Sequence, residues 1–168
     1  MNTLPADIDT DAVHNLNHQY DAGHLTKNDF LYRLRDITGH EPEMIEEVVD
    51  SEGLKNKALI RYIEEELKPH YKIGLLSNIA TNWIRESFLA PKEQAMFDAM
   101  VFSYEVGITK PNPEIFHIIC DRLHVASDKA VFIDDIDSNV EGANRAGLIG
   151  LQYENLATLK RDLGEFIA

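Results

Sequence analysis

Cysteine is nearly absent: Cys120 stands alone in 168 residues. That excludes an intramolecular disulfide and any Cys-based zinc site. Basic residues are scarce. Sixteen Lys and Arg face 29 Asp and Glu, for a formal charge of −13. A broad nucleic-acid-binding face needs the opposite excess to neutralise phosphates, and an anionic membrane surface repels such a chain. No run approaches the ~18 apolar residues of a membrane helix. The opening MNTLPADIDTDAV has neither a basic region nor an apolar core, so it does not read as a secretory signal. The expectation is a cytoplasmic protein that binds neither nucleic acid nor membrane. What is present is globular: 44% hydrophobic and 27% charged residues. The length suits one domain with a small appendage, enough to bury roughly 70% of the unfolded surface.

The hydrophobic period changes along the chain. Up to about residue 68 it is helical. Val13, Leu16 and Tyr20 mark a first helix over 11–20, with Thr10 as its expected N-cap. A second begins at Thr26, where Asp29 three residues on forms a capping box and Leu25 and Phe30 form a staple; Gly39 ends it. Pro42 can open a third helix to about Asp50, and a fourth runs from Leu54 to Leu67 before Pro69. From residue 71 apolar strands alternate with helices. Strands are expected over 71–77, 100–103, 130–134 and 149–153, and helices over 81–88, 113–123, 139–146 and from 156 towards 167. Asn112 and Pro113 open the second of these helices, and Gly147 closes the third. Alternation of this kind means an α/β fold with parallel strands and flanking helices, Rossmann-like in layout. Its ligands bind beyond the carboxyl ends of the strands.

Two strands end in polar chemistry. Ser77-Asn78 offers a hydroxyl, an amide and backbone donors. Asp134-Asp135 is an acidic pair whose mutual repulsion calls for a cation or a cap. Between them, Lys110 sits in a loop stiffened by Pro111 and Pro113. Hydroxyl plus lysine is a phosphate-binding set, and paired carboxylates suit a hard cation such as Mg²⁺. His14 and His18 lie four apart on the first helix and read as solvated. Cys120 shares an apolar face with Phe116, Ile119 and Leu123 and reads as core. Trp83 reads as a packing residue near the strand ends.

The chain resembles the haloacid dehalogenase (HAD) superfamily of hydrolases. The likeness rests on Leu75-Leu-Ser77-Asn78 for motif II, on Ser103 to Phe116 with Lys110 for motif III, and on Val131 to Gly147 with Asp134-Asp135 for motif IV. It is nearest in look to phosphatases resembling alpha-D-glucose-1-phosphatase and to the phosphatase domain of epoxide hydrolases. The segment from Tyr20 to Leu31 resembles the helical cap of those enzymes. The resemblance implies a cap-like unit over 1–52 and a HAD-like core over 53–168. It implies a Mg²⁺-dependent phosphatase of small phosphorylated metabolites, such as sugar phosphates. Ser77, Asn78 and Lys110 would hold the phosphoryl group, with Lys110 and Asp134 in the catalytic set. Asp135 would be the direct metal ligand, Asp134 its outer-sphere partner, and Asn139 the support of the motif IV loop.

Motif I of that family, an apolar strand ending in Asp-x-Asp, finds no match. Asp7-Ile8-Asp9-Thr10 has the spacing, but Met1 to Ala6 contains a Pro and no apolar run, so the segment reads as a helix N-cap with acids in its first turn. The resemblance places the missing strand mid-sheet, between those ending at Ser77 and Asp134. Losing it should make those two strands pair directly, or leave a slot that another segment fills, because bare edges recruit partners. The chain on its own is then expected to bind Mg²⁺ weakly and to be inactive. Completion by a homo-oligomer or by an N-terminal segment stays open, as does a non-catalytic pseudophosphatase that keeps a weak phosphate or metal site.

Overall fold

The computed structural model describes residues 9–39 and 55–167. The helix expected from Pro42 and the expected boundary at 52/53 lie outside the described residues.

Helices α1 (Thr10–Asp21) and α2 (Lys27–Thr38) form a hairpin. The cap of α1 is Asp9, not Thr10. The Asp9 carboxylate accepts from the Ala12 N–H at 3.0 Å, placing its negative charge at the positive end of the helix. Thr26 caps α2 as expected, accepting from the Asp29 N–H at 3.2 Å. The return leg of the box differs, because the Thr26 hydroxyl itself donates to the Asp29 carboxylate at 2.7 Å. The turn between the helices passes through Gly23 at φ +73°, where a Cβ would come within 3.2 Å of the Tyr104 backbone. Leu16, Phe30, Leu31 and Leu34 bury the inner faces of the hairpin against Leu25 and Ile37.

Helix α3 (Lys57–Tyr62) runs into a wide π-type turn, Ile63–Leu67, where a regular helix was expected. Tyr62 and Leu67 are five residues apart, and both enter one apolar cluster with Leu159 and Leu163. The i,i+5 register of a π-turn brings them to one face. Strand β1 (Gly74–Ser77) starts three residues later than expected. The segment after it makes a second π-type turn, Ile84–Phe88, instead of the helix expected over 81–88.

There follow α4 (Pro91–Gln94), β2 (Ala99–Phe102), α5 (Ser103–Val106) and α6 (Pro113–Leu123). The Asn112 side chain caps α6, accepting from the Glu114 N–H at 3.0 Å. Then come β3 (Val131–Asp134), α7 (Asp137–Arg145), β4 (Ile149–Gln152) and α8 (Leu156–Leu163). Helix α7 begins two residues ahead of the expected Asn139. Val101, Ile115, Phe116, Ile119, Cys120 and Ala143 are the centre of the core, so Cys120 packs as an apolar residue.

The strands pair in parallel, β1 with β2 and β3 with β4. Ser77 lies in register with Phe102, and Asp134 with Gln152. The expected direct pairing of β1 with β3 is absent. Among the described residues the strands form two separate two-stranded sheets, and no described strand fills the slot between them. Both pairs nevertheless end at one polar region, because a single side chain from the loop before α6 reaches across.

Candidate anion site at the strand ends

That side chain is Lys110. Its ammonium donates to the Asp134 carboxylate Oδ2 at 2.6 Å and to the Leu76 carbonyl at 3.3 Å. One end of the reach is the β3 terminus and the other the β1 terminus. The side chains of Lys110 and Asp134 are 9% and 7% exposed, so the pair is largely desolvated. The Phe132 ring lies 5.4 Å from the ammonium and adds a π-face on one side. A lysine ammonium has three N–H donors. Two are used here, which leaves one to offer.

Three groups converge on Asp134. Besides Lys110, the Ile136 N–H donates to Oδ1 at 2.9 Å and the Asn139 amide at 3.1 Å. Burial pushes this carboxyl upward, but the Lys110 charge and these hydrogen bonds outweigh it and hold the group below the ordinary carboxylate value. Asn139 is buried at the first turn of α7 and supports the loop through Asp134. Asp135 is exposed, and its carboxylate makes no hydrogen bond or ion pair among the described residues. The Ser77 hydroxyl at the end of β1 is likewise free of protein partners among the described residues.

Asn78 is used differently from the expectation. Its Oδ1 accepts from the Lys110 backbone N–H at 2.8 Å, and its Nδ2 donates to the Lys110 carbonyl at 3.0 Å. Both polar groups of its side chain are thus turned to the Lys110 backbone. The neighbouring Pro111 is pressed by Gly142 of α7, where a Cβ would stand 2.5 Å from the Pro111 carbonyl oxygen. Only glycine admits that approach.

The sequence reading missed Ser103. It is fully buried, accepts from the Ile79 N–H at 2.8 Å, and donates to the Asp21 carbonyl. One hydroxyl thereby joins the loop after β1, the start of α5 and the end of α1. A polar residue closing the apolar run Met100–Phe102 was the available signal. His18 is exposed as expected, yet its Nδ1 lies 2.7 Å from the Thr109 hydroxyl, a contact between residues distant in sequence that no local pattern announces. Trp83 packs tilted against Phe88 with ring centroids 5.0 Å apart and is 42% exposed. Among the described residues no three His, Cys, Asp or Glu side chains cluster as a metal cage. No described helix is long and apolar enough to cross a membrane.

A parallel α/β fold with a lysine–carboxylate pair and a hydroxyl at its strand ends defines a class of anion-handling folds. The chain belongs to the haloacid dehalogenase-like hydrolase family, whose model matches residues 7–147. It is 29% identical over 170 residues to the D-ribitol-5-phosphate phosphatase of Bacteroides thetaiotaomicron, covering 94% of this chain and 82% of that protein. It is 34% identical over 101 residues to the phosphorylated carbohydrates phosphatase of Thermotoga maritima, covering 60% of this chain and 47% of that protein. A HAD-family enzyme of Bacteroides thetaiotaomicron, solved in complex with magnesium and inorganic phosphate, superposes with a TM-score of 0.66 at 20% identity. That match covers 94% of this chain and 92% of that one, and establishes the shared fold.

Proposed function

We propose that the site serves Mg²⁺-assisted hydrolysis of small phosphorylated metabolites, sugar phosphates among them. The observation that carries this reading is the Lys110 ammonium, pinned at the strand ends with one donor left and the Ser77 hydroxyl beside the same terminus. An ammonium fixed in advance in a desolvated site stabilises developing phosphoryl charge without reorganising, which is most of what a protein contributes to phosphoryl transfer. The two relatives above are phosphatases by name, and the superposed enzyme carries magnesium and phosphate; both facts support the same reading.

The residues fit a hydrated Mg²⁺. This ion prefers oxygen ligands, keeps several waters and needs only one or two carboxylates. Asp135 has the exposed, unengaged carboxylate for a direct ligand. Asp134 has both oxygens engaged, which suits it to orient from behind. When bound, Mg²⁺ would supply charge to the phosphoryl oxygens. Lys110 would hold the group from the other side, and Ser77 would donate to it.

We further propose that this chain by itself turns substrate over far below the rates of complete relatives. Among the described residues the carboxylates that close an apolar strand are Asp134, which is held by Lys110, Ile136 and Asn139, and its neighbour Asp135, which this reading gives to the metal; Asp9 is engaged as the α1 cap. The engagement of Lys110 with Asp134 and of the Asn78 side chain with the Lys110 backbone favours a second reading, a non-catalytic protein that binds a phosphorylated ligand. Assaying p-nitrophenyl phosphate and sugar phosphates with Mg²⁺ separates these readings. No turnover with measurable phosphate binding supports the second. Mg²⁺-dependent turnover that vanishes in Asp7→Asn would place the nucleophile at Asp7 and overturn the prediction of inactivity.

A further inference from the structure

We infer that Asn78 is a positioning residue for Lys110 and not itself a ligand of the phosphoryl group. The inference rests on Lys110 being the phosphate-holding cation of the site proposed above. Lys110 lies in a loop between α5 and α6, outside any strand, so no ladder holds its backbone. The Asn78 side chain takes that part. A carboxamide presents one acceptor and one donor with the spacing of a peptide group, and here each meets its complement on a single residue. The amide orientation is fixed by the bonds themselves: the Lys110 N–H needs an acceptor and the Lys110 carbonyl needs a donor.

The result is a short chain of cause from β1 to the charge. Asn78 follows Ser77, the last residue of β1, and therefore moves with that strand. It holds the backbone of Lys110 on both sides of the Cα. The ammonium of Lys110 then returns to the same strand at the Leu76 carbonyl and crosses to Asp134. Backbone and side-chain tip are both referenced to β1. Neither bond alone would hold the backbone on both sides of the Lys110 Cα; the pair does, because one bond takes the N–H of the peptide before it and the other the carbonyl of the peptide after it. A direct role for the Asn78 side chain on phosphate would require its donor to leave the Lys110 carbonyl, which is part-buried and would lose its partner.

The test uses Asn78→Leu, nearly isosteric and unable to make either bond, in the full chain labelled with ¹⁵N. The readout is the side-chain ammonium resonance of Lys110 without any phosphate present, assigned by its loss in Lys110→Met. Positioning by Asn78 predicts that this resonance shifts or broadens into solvent exchange in Asn78→Leu, and that inorganic phosphate affinity falls roughly tenfold, the size expected of two hydrogen bonds. An unmoved ammonium resonance in a folded Asn78→Leu protein overturns the inference, whatever happens to phosphate. If Asn78 were instead a direct ligand, phosphate affinity would fall with the resonance unmoved. If the resonance moves but the unaltered chain binds no phosphate, the positioning role stands and the proposed function fails. Should Asn78→Leu not fold, Asn78→Ser removes the same two bonds with a smaller side chain and is read by the same signal.

Discussion

Removing Asp134 should be among the most destabilising single changes at the site. In Asp134→Leu the Lys110 ammonium stays enclosed, with side-chain exposure of only 9%, and loses its charged partner among the described residues. The Ile136 N–H and the Asn139 amide lose their acceptor at the same time. Breaking a buried pair by removing one member costs about 3–5 kcal/mol, a large share of a typical net stability of about 5–15 kcal/mol. Lys110→Met also breaks the pair but strands a carboxylate that keeps two hydrogen bonds, so its cost should be smaller. The double variant Lys110→Met/Asp134→Leu leaves no unpaired charge and replaces a desolvated ion pair with apolar volume beside Phe132. It should be more stable than Asp134→Leu alone by at least about 1 kcal/mol.

Urea unfolding midpoints of the four proteins, read by circular dichroism, give the coupling directly. Strict additivity of the two single changes would refute the claim that the pair is desolvated and coupled. The pH dependence gives an independent check. The Asp134 carboxyl titrates below its ordinary value in the folded protein, so the folded state binds the proton less readily than the unfolded chain. Its stabilisation is therefore complete above the unfolded value near 3.8 and is lost as pH falls through the lower folded value. The acid limb of the stability curve should flatten in the double variant. An unchanged acid limb would mean that Asp134 is not held by Lys110 in solution.

Four further outcomes are expected. Ser103→Ala should destabilise by about 1–3 kcal/mol, because the buried Ile79 N–H loses its acceptor; a midpoint within error of the parent would show that water replaces the hydroxyl. Asp21→Asn should raise the melting temperature at pH 7 and lose that advantage below about pH 4, since burial pushes the Asp21 carboxyl up and its ionised form opposes folding; a gain independent of pH would point to another cause. Gly142→Ala should weaken inorganic phosphate binding as well as stability, because its Cβ drives into the Pro111 carbonyl beside Lys110; a tolerated alanine would show that the loop gives way freely. Mg²⁺ binding by calorimetry should be weaker than low micromolar and vanish in Asp135→Asn, and tight binding would require ligands from residues not described.

Much of this was legible in the sequence where a local rule has one solution. Asn112-Pro113 announces the start of α6, Thr26 and Gly39 bracket α2, and Asp134 closes an apolar run. The polar members of the site, Ser77, Lys110 and Asp134, were visible because strand ends in parallel α/β folds collect ligand chemistry. The role of Asn78 was not legible, because a carboxamide at a strand end serves equally to bind a ligand or to hold a neighbouring peptide, and only the distances to Lys110 choose. The π-type turns at Ile63–Leu67 and Ile84–Phe88 were also invisible. The same apolar residues satisfy a 3.6-residue period, and only packing of Tyr62 and Leu67 into one cluster selects the wider turn. Asp9 displaced Thr10 as cap because either residue type can cap, and one position decides which amide the oxygen reaches.

Among the described residues β1 and β3 stand in separate sheets. Unpaired edges were expected to close up or to be filled by another segment, because each buried N–H or C=O without a partner costs about 1–3 kcal/mol. Instead, the described strands pair outward, β1 with β2 and β3 with β4. The burial of β1 and β3 helps to explain how this is tolerated. Leu75, Leu76, Phe132 and Ile133 are all part-exposed, so their inner edges are not sealed in a dry core and the penalty falls towards that of groups meeting water. Lys110 meets one of the inner acceptors, the Leu76 carbonyl. Amide hydrogen exchange tests this account strand by strand. The amides of β1 and β3 bonded to β2 and β4 should be protected, and those facing the slot should exchange orders of magnitude faster. Uniform protection on both faces of β1 and β3 would mean that a further backbone segment lies between them, and an added peptide would then gain no protection there. If the slot amides do exchange fast, a synthetic apolar strand ending in Asp-x-Asp should slow them on binding and, if the proposed function is right, confer Mg²⁺-dependent phosphatase activity. Slowed exchange with no activity would leave the docking intact and count against the enzyme reading.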